Sequence, residues 1–269
     1  MPVFKEIMCK SLLSRSQISG VDYSINPYLG CEHGCVYCYA RFMGPRSGHH
    51  EKWGEFVDIK VNAPQVLSRE LLRSKRGNVL LSSVTDPYQP LERRYELTRR
   101  ALKHLLDYDY PVSILTKSAL VERDIDLLRR FTDCQVGATV VALNDEVRRA
   151  FEPFSSPSRE RLSALKRVAE SGIPTYLFFG PILPEFSEED LEEILDECTR
   201  IGIDHILIDK LNIKYRNWSS IIRVIETRFP EKKDSWKEAL SLQKEYFERF
   251  KRKFIAMADQ RKIPVTSCY

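Results

Sequence analysis

The stretch Asn26–Arg41 reads NPYLGCEHGCVYCYAR and carries the most informative pattern in this chain. Three of the seven cysteines, Cys31, Cys35 and Cys38, lie in it with the spacing C-x3-C-x2-C. Two glycines in the same stretch allow the backbone to fold closely around a common centre. Three thiolates in so tight a loop predict the ligands of one metal centre.

Outward from this loop, short apolar runs alternate with amphipathic helical patterns, which predicts parallel βαβ units in an open sheet or a β/α barrel. Six units are two fewer than a closed eight-fold barrel contains. The apolar runs are Asn78–Val84, Val112–Leu115, Val136–Leu143, Pro174–Phe179 and His205–Ile208, with a weaker one at Asp22–Ile25 directly before the cysteines. The helical patterns are Ala63–Ser74, Glu96–Leu106, Glu122–Phe131, Ser158–Glu170, Ser187–Arg200 and Ser219–Arg228.

Three regions follow from this pattern. An N-terminal extension covers residues 1–19, a core domain covers 20–215, and a helical C-terminal extension covers 216–269 and packs on the core. Trp236, Phe247 and Phe254 mark one face of a long helix in the extension. Residues 231–262 hold ten Lys and Arg against six Asp and Glu, and we prefer a solvated outer face to a nucleic-acid contact as the explanation.

The composition is that of a soluble globular protein. The 269 residues are 43% hydrophobic and 30% charged, with a formal net charge of +4, which excludes a disordered, collagen-like or coiled-coil chain. No stretch is long and apolar enough to cross a bilayer, and the N-terminus does not resemble a secretory signal. We therefore expect a cytoplasmic protein with no membrane partner, in which the cysteines remain reduced.

Two kinds of metal centre suit the cysteine loop. A structural zinc ion needs four ligands, and with His33 as the fourth the loop would form a Cys3His site, although four ligands within eight residues are cramped. That interpretation describes a zinc-binding, nucleic-acid-binding protein without catalytic activity. Alternatively, three cysteines on a [4Fe–4S] cluster leave one iron without a protein ligand and open to a small molecule.

With an aromatic residue, Tyr37, before its last cysteine, the motif resembles that of the radical S-adenosylmethionine (SAM) enzymes. In that superfamily the amino and carboxylate groups of SAM chelate the open iron, and an electron from the cluster cleaves SAM to methionine and a 5′-deoxyadenosyl radical. The wider context, from about Lys10 to Lys214, resembles the spore photoproduct lyase family. The matching segments are the cysteine loop, KVNAP at Lys60–Pro64, SSVTDPYQPLE and FEPFSSP. This resemblance implies a partial (β/α)6 barrel of the radical SAM type with a helical C-terminal extension.

The resemblance also implies a set of cofactor contacts, each with a plainer alternative. Tyr37 and Tyr39 would lie against the cluster and adenine, or simply pack the loop. Thr85 and Asp86 would face the amino group and ribose of SAM, although Asp86 before Pro87 also predicts an Asx turn. Lys117 would reach the SAM carboxylate, and Thr139 would contact the cofactor unless the strand slips by one residue. Glu152 and Pro153 would tie the loop after the fourth strand.

One departure from the family limits the function. Spore photoproduct lyase has a hydrogen-donating cysteine immediately before the hydroxyl–carboxylate pair, where this chain has Val84. The other cysteines lie elsewhere, and Cys268 could reach the site only if the tail folds back. The sequence therefore predicts hydrogen abstraction from an unidentified substrate, with a ferredoxin or flavodoxin as the external electron donor.

Overall fold

The strands and helices of the computed structural model, which describes residues 2–214 and 217–269, alternate along most of the chain. The strands are β1 Val3–Ile7, β2 Leu13–Arg15, β3 Tyr23–Ile25, β4 Tyr28–Gly30, β5 Phe56–Lys60, β6 Val79–Leu81, β7 Val112–Thr116, β8 Cys134–Thr139, β9 Thr175–Ile182, β10 His205–Lys210 and β11 Val265–Ser267. The α-helices are α1 Met43–Arg46, α2 Ala63–Leu71, α3 Glu92–Tyr95, α4 Leu97–Asp107, α5 Ile125–Leu128, α6 Asp145–Phe151, α7 Ser158–Glu170, α8 Phe186–Glu189, α9 Leu191–Ile201, α10 Asn217–Arg228, α11 Lys233–Ser241 and α12 Gln243–Gln260.

The six predicted strands form the centre of one sheet. β3, β6, β7, β8, β9 and β10 are neighbours in chain order and all pair in parallel. An antiparallel β2 borders β3, and a parallel β11 borders β10, so that in the described part of the chain the two edge strands do not pair with each other. The prediction of an α/β fold built as a partial barrel is confirmed.

A second, three-stranded sheet was not predicted. It has the order β1-β5-β4, and its strand β4 lies between β3 and the cysteines. The expectation that the cysteines directly follow the first strand of the main sheet is therefore wrong, since the chain first enters this smaller sheet.

Several boundaries also differ from those predicted. The strand predicted to reach Leu143 ends at Thr139, and the helix predicted over Glu122–Phe131 is a 3-10 turn followed by the short α5. The helix predicted over Ser187–Arg200 is divided into α8 and α9. Local periodicity does not resolve such breaks, because turn geometry and packing decide where a helix ends.

The tail is not purely helical. Its long predicted helix is divided into α11 and α12, which bury Trp236, Phe247 and Phe254, and the chain then returns to the main sheet as β11. The boundary predicted between residues 215 and 216 lies outside the described residues. Among the described helices, none has the length and apolarity needed to span a bilayer.

The two faces of the main sheet differ in burial. Side chains such as Ile114, Val136 and Leu177 belong to the large apolar core beneath the helices. Several of the alternate positions, among them Leu115 and Phe178, are only half-buried and line the inner face of the partial barrel. Strands covered by helices on both sides would bury both sets, so this alternation shows an inner face without a helix over it.

Candidate functional site

The cysteine loop follows β4 and is shaped by close backbone contacts. Gly30 has φ of +88°, and a Cβ on it would lie 2.3 Å from the carbonyl oxygen of Phe56. Gly34, with φ of +61°, lies against Gly54 of the segment that crosses over the loop. A side chain at Gly30 would force the loop away from β5, so this glycine is required by both conformation and space.

The three thiols of the loop lie within eight residues of one another in the chain and are largely shielded from solvent. Cys31 and Cys35 are buried and Cys38 is partly buried, and none forms a disulfide. Burial raises the pKa of all three thiols, to about 12 for Cys35, and the charges of Asp86 and of the other two cysteines raise the pKa of Cys31 further. Without a bound cation these thiols are therefore protonated, and a positive centre is needed to hold them as thiolates.

His33 does not complete a fourth position beside the thiols. Its Nδ1 lies 3.4 Å from Oδ2 of Asp86, and its side chain is buried on that side. Among the described residues, no group of three or more His, Cys, Asp and Glu side chains, the three cysteines included, is placed to hold one metal ion. His33 pairs with Asp86, and a cubane cluster would need thiolates only at three separate corners.

Asp86, in the loop that follows β6, forms hydrogen bonds with several segments of the chain. Its carboxylate accepts hydrogen bonds from the Thr116 hydroxyl at 2.6 Å, the Lys117 amide at 2.8 Å and the Tyr88 amide at 2.8 Å. The last of these is the Asx turn that the Asp-Pro pair predicts. Burial opposes its ionisation, but His33 and these donors hold the pKa of Asp86 well below its ordinary value. Asp86 is thus an anion that joins β6, β7 and the cysteine loop.

Tyr37 points inward to a buried ion pair. Its hydroxyl donates to the carboxylate of Glu152, which also forms an ion pair with Arg161. Burial opposes ionisation of Glu152, yet Arg161 and Lys117 lower its pKa. The expectation that Glu152 ties the loop after the fourth strand agrees with these contacts.

Lys117 and Thr139 lie at the carboxyl ends of β7 and β8. The Lys117 ammonium is 5.8 Å from the centre of the Tyr37 ring. Burial disfavours its charge, but Cys35, Glu152 and Asp86 together raise the pKa of Lys117. The Thr139 hydroxyl is buried, at 1% exposure, and has no hydrogen-bond partner in the described part of the chain. A buried hydroxyl without a partner among the described residues, at the end of the strand next to that of Lys117, is a group that a polar ligand would satisfy.

Tyr39 and Thr85 are placed differently from Tyr37. Tyr39 is 48% exposed, and its hydroxyl donates to the carbonyl of Ser83. Thr85 donates to the carbonyl of Gly30 at 2.5 Å and accepts from the Gln89 amide at 3.1 Å. Thr85 therefore holds the start of the cysteine loop, while the Tyr39 side chain is partly open to solvent.

The segment 47–54 packs over the outside of the loop. Trp53 lies beside the Cys38 thiol, and His49 stacks on Phe56 with ring centroids 4.1 Å apart. His49 also forms ion pairs with Glu51 at 3.0 Å and Asp58 at 3.2 Å. Burial opposes protonation of the imidazole, but the two carboxylates raise the pKa of His49 above 6.5.

Sequence reasoning did not identify Arg161, although a signal for it exists. Arg161 lies on the apolar face of α7 beside Leu162 and Leu165, where an arginine has to find partners inside the protein. It donates to the carbonyls of Ser156 at 2.7 Å and Thr139 at 2.8 Å. A charged residue within a buried helical stripe could have been recognised as part of an internal ion pair.

Known proteins resemble this chain in sequence and in fold. The Radical SAM superfamily model matches residues 25–198. An uncharacterised protein of Methanocaldococcus jannaschii is 36% identical over 84% of this chain and 83% of its own. Spore photoproduct lyase of Bacillus subtilis is 26% identical over 83% of this chain and 65% of its own.

A solved structure extends this likeness to the fold. A spore photoproduct lyase double mutant with bound AdoMet and dinucleoside spore photoproduct has a TM-score of 0.65 at 19% identity, over 84% of this chain and 66% of the lyase chain. The chain thus spans about two thirds of the lyases it matches.

The fold and the cysteine loop define a radical SAM protein, and the chain belongs to the radical SAM superfamily. Within that superfamily its structural neighbours are spore photoproduct lyases, as the sequence predicts. Membership implies an enzyme that uses SAM and an iron–sulfur cluster.

Proposed function

We propose that this protein binds one [4Fe–4S] cluster through Cys31, Cys35 and Cys38 and cleaves SAM reductively to abstract hydrogen from a substrate. The observation that carries the proposal is a single loop with three thiols largely shielded from solvent, in which the neighbouring His33 pairs with Asp86. When bound, such a cluster supplies the electron that converts SAM to methionine and a 5′-deoxyadenosyl radical. The zinc-binding alternative has no comparable support.

The residues around the loop would bind and orient SAM. The Lys117 ammonium suits the SAM carboxylate as a point charge, and the unpartnered Thr139 hydroxyl suits a polar group of the cofactor. Tyr37 is fixed through Glu152, while the exposed Tyr39 ring would cover the adenine. Thr85 and Asp86 are proposed near the amino group and ribose, and their existing hydrogen bonds give them a positioning role as well.

The half-buried inner face of the partial barrel would receive the substrate. It offers mixed apolar and polar side chains, including Ser113, Gln135 and Phe178, in place of a packed core. The matched solved lyase holds a dinucleoside photoproduct, and we propose nucleic acid as a candidate substrate class. Val84 in place of a thiol argues against the lyase's own reaction. A ferredoxin or flavodoxin in the cytoplasm is proposed as the electron donor.

Anaerobic reconstitution tests the proposal. We expect brown protein with about four irons and sulfides per chain, and formation of 5′-deoxyadenosine when SAM and dithionite are added. Alanine at Cys31, Cys35 or Cys38 should abolish iron loading, whereas Cys134→Ala, which alters a cysteine buried at the start of β8, should retain it. Stoichiometric zinc without iron, or equal loss of iron in Cys134→Ala, would contradict the ligand assignment.

A further inference from the structure

A second group of reactive side chains lies at the same edge of the sheet as the cysteine loop. Because β11 pairs in parallel with β10, the residues that follow β11 lie at the carboxyl ends of the strands. Cys268 comes directly after β11, and its amide donates to the carbonyl of Ile208 at 2.9 Å. The tail thus folds back and places a free, exposed thiol at the rim of the partial barrel.

The Cys268 side chain belongs to the inner face. Thr266 is paired with Leu207, a half-buried inner position, and Cys268 is two residues further along the same face. Cys268 is close enough to the inner-face Tyr176 to influence the pKa of its hydroxyl. Tyr176 itself is an inner residue, since its ring fills the space in front of Gly137, where a Cβ would lie 2.3 Å away.

Asp209 connects this thiol to the cysteine loop. A Cβ on Gly180 would lie 3.0 Å from the Cβ of Asp209, so this carboxyl stands on the inner face of β10. Asp209 follows Ile208 as Cys268 follows Ser267, the strand partner of Ile208, so Asp209 and Cys268 come next to each other on adjacent strands. The charge of Asp209 raises the pKa of both the Cys268 thiol and the Tyr39 hydroxyl. Burial raises the pKa of Asp209 to about 6, against the opposing effect of Lys210 and Lys214. A fraction of the carboxyl groups therefore carries a proton near neutral pH.

Among the described residues, two buried hydroxyl groups without hydrogen-bond partners lie at the same edge of the sheet as Cys268 and Asp209. The buried hydroxyls of Ser82 and Thr139, at the ends of β6 and β8, have no hydrogen-bond partner in the described residues. Ser82 also has φ of +69°, an uncommon conformation for a residue with a side chain. Unsatisfied buried hydroxyls and a strained backbone at one rim are typical of a ligand site.

We propose that Cys268 donates a hydrogen atom to carbon radicals formed in this space and that Asp209 afterwards returns the proton to the sulfur. The proposal rests on the radical SAM function proposed above. A thiol S–H bond is weaker than an aliphatic C–H or an alcohol O–H bond, so transfer to an alkyl radical is favourable. In the step, the S–H bond breaks, a C–H bond forms, and a thiyl radical remains. One electron from the external low-potential donor and one proton from Asp209 restore the thiol.

The other cysteines outside the loop cannot take this role. Cys134 and Cys198 are buried in the apolar core on the helix-covered side of the sheet. Cys9 is partly buried, and its amide and carbonyl bond to Asn62, on the loop before α2. Only Cys268, within the described residues, combines an exposed thiol with the inner face of the sheet.

The 5′-deoxyadenosyl radical can itself serve as the probe, so that the substrate need not be known. Reconstituted full-length protein is incubated anaerobically with SAM and dithionite in D2O buffer without added thiols. Thiol hydrogens exchange with solvent, whereas buffer C–H hydrogens do not. We expect deuterium in the 5′-deoxyadenosine formed by the wild type and loss of most of this label in Cys268→Ala. Cys268→Ser should behave like Cys268→Ala, because its O–H bond is too strong, and Cys134→Ala should retain the label.

The outcomes separate the two proposals. Absence of 5′-deoxyadenosine from the wild type would overturn the radical SAM function itself. Normal formation of 5′-deoxyadenosine without deuterium, or with equal deuterium in Cys268→Ala, would overturn only the role of Cys268. A label that survives in Cys268→Ala and disappears in Tyr39→Phe would assign the donor to the phenol and would equally refute the thiol. Iron content of each variant is measured alongside, so that a folding or loading defect is recognised.

Discussion

Replacing Arg161 by methionine tests the buried ion pair of Arg161 with Glu152, whose carboxylate accepts a hydrogen bond from Tyr37 of the cysteine loop. The Arg161 side chain is 1% exposed, and its guanidinium donates to the carbonyls of Ser156 and Thr139 as well as to the carboxylate of Glu152. Methionine keeps much of the stem volume but supplies no donor and no charge. Glu152 would then remain ionised or become protonated inside the protein, without its main partner.

The expected loss of stability follows from breaking the buried ion pair of Arg161 with Glu152. Removing one partner of a buried ion pair costs about 3–5 kcal/mol, because the other charge is left uncompensated. Lys117 also lowers the pKa of Glu152 and offsets part of the loss, while the two carbonyls that lose their donor add to it. We therefore expect a decrease in the free energy of unfolding of about 4 kcal/mol, and a fall in Tm of about 10 °C for a chain of this size.

Urea unfolding of the protein without its cluster, followed by circular dichroism, measures this difference. Arg159→Met is the matched control, since Arg159 lies on the same helix and pairs with Glu193 at the surface, 2.8 Å away. Its side chain is 60% exposed, so its loss should change stability by less than about 0.5 kcal/mol. The double variant Arg161→Met with Glu152→Gln should recover part of the loss. Equal stability of Arg161→Met and Arg159→Met would refute the reasoning.

Three further predictions concern the site and its surroundings. Lys117→Ala should weaken SAM binding, measured by equilibrium titration, and leave iron content intact; unchanged affinity would exclude a contact with the cofactor. Asp58 and Glu51 raise the pKa of His49 in the folded protein. Their attraction to the protonated imidazole therefore stabilises the fold fully below pH 6.5, and this stabilisation is lost as pH rises through the higher pKa of the folded state. The stability difference between wild type and His49→Gln should therefore shrink as pH rises, and a difference independent of pH would contradict this. Gly30→Ala should destabilise the fold by about 2 kcal/mol or more, because its Cβ would meet the Phe56 backbone, whereas Gly20→Ala, at a similar φ with open space, should lose only about 1 kcal/mol.

The sequence identified the elements whose signals are local. The spacing of Cys31, Cys35 and Cys38 predicted a common metal centre, which stays a prediction, and in the structure the three residues lie in the loop after β4. The six core strands were recognisable because apolar β-rich runs alternate with helical patterns, and the parallel sheet follows from that order. The exact ends of helices such as α5 were not recognisable, because turns and packing set them.

The sequence placed Lys117 at the end of the third strand and Thr139 inside the fourth, whereas Thr139 is the last residue of β8. The sequence could not show what surrounds either residue. That Asp86 is an anion joining three segments follows only from the donors that the fold brings to it. The contact between Tyr37 and Glu152 joins residues 115 positions apart in the chain. No local pattern encodes such a contact.

The C-terminal tail also combines a feature that the sequence reveals with one that only the tertiary structure decides. Its apolar helix face was visible in the sequence, because a period of 3.6 residues is a property of the segment alone. The return of the chain as β11, which brings Cys268 to the inner face beside Asp209, depends on an open strand edge at β10. Spacing and periodicity determined the cysteine loop and the class of fold. The partners of each buried charge and the position of the last thiol were decided by tertiary contacts, because their energies depend on distant segments meeting in space.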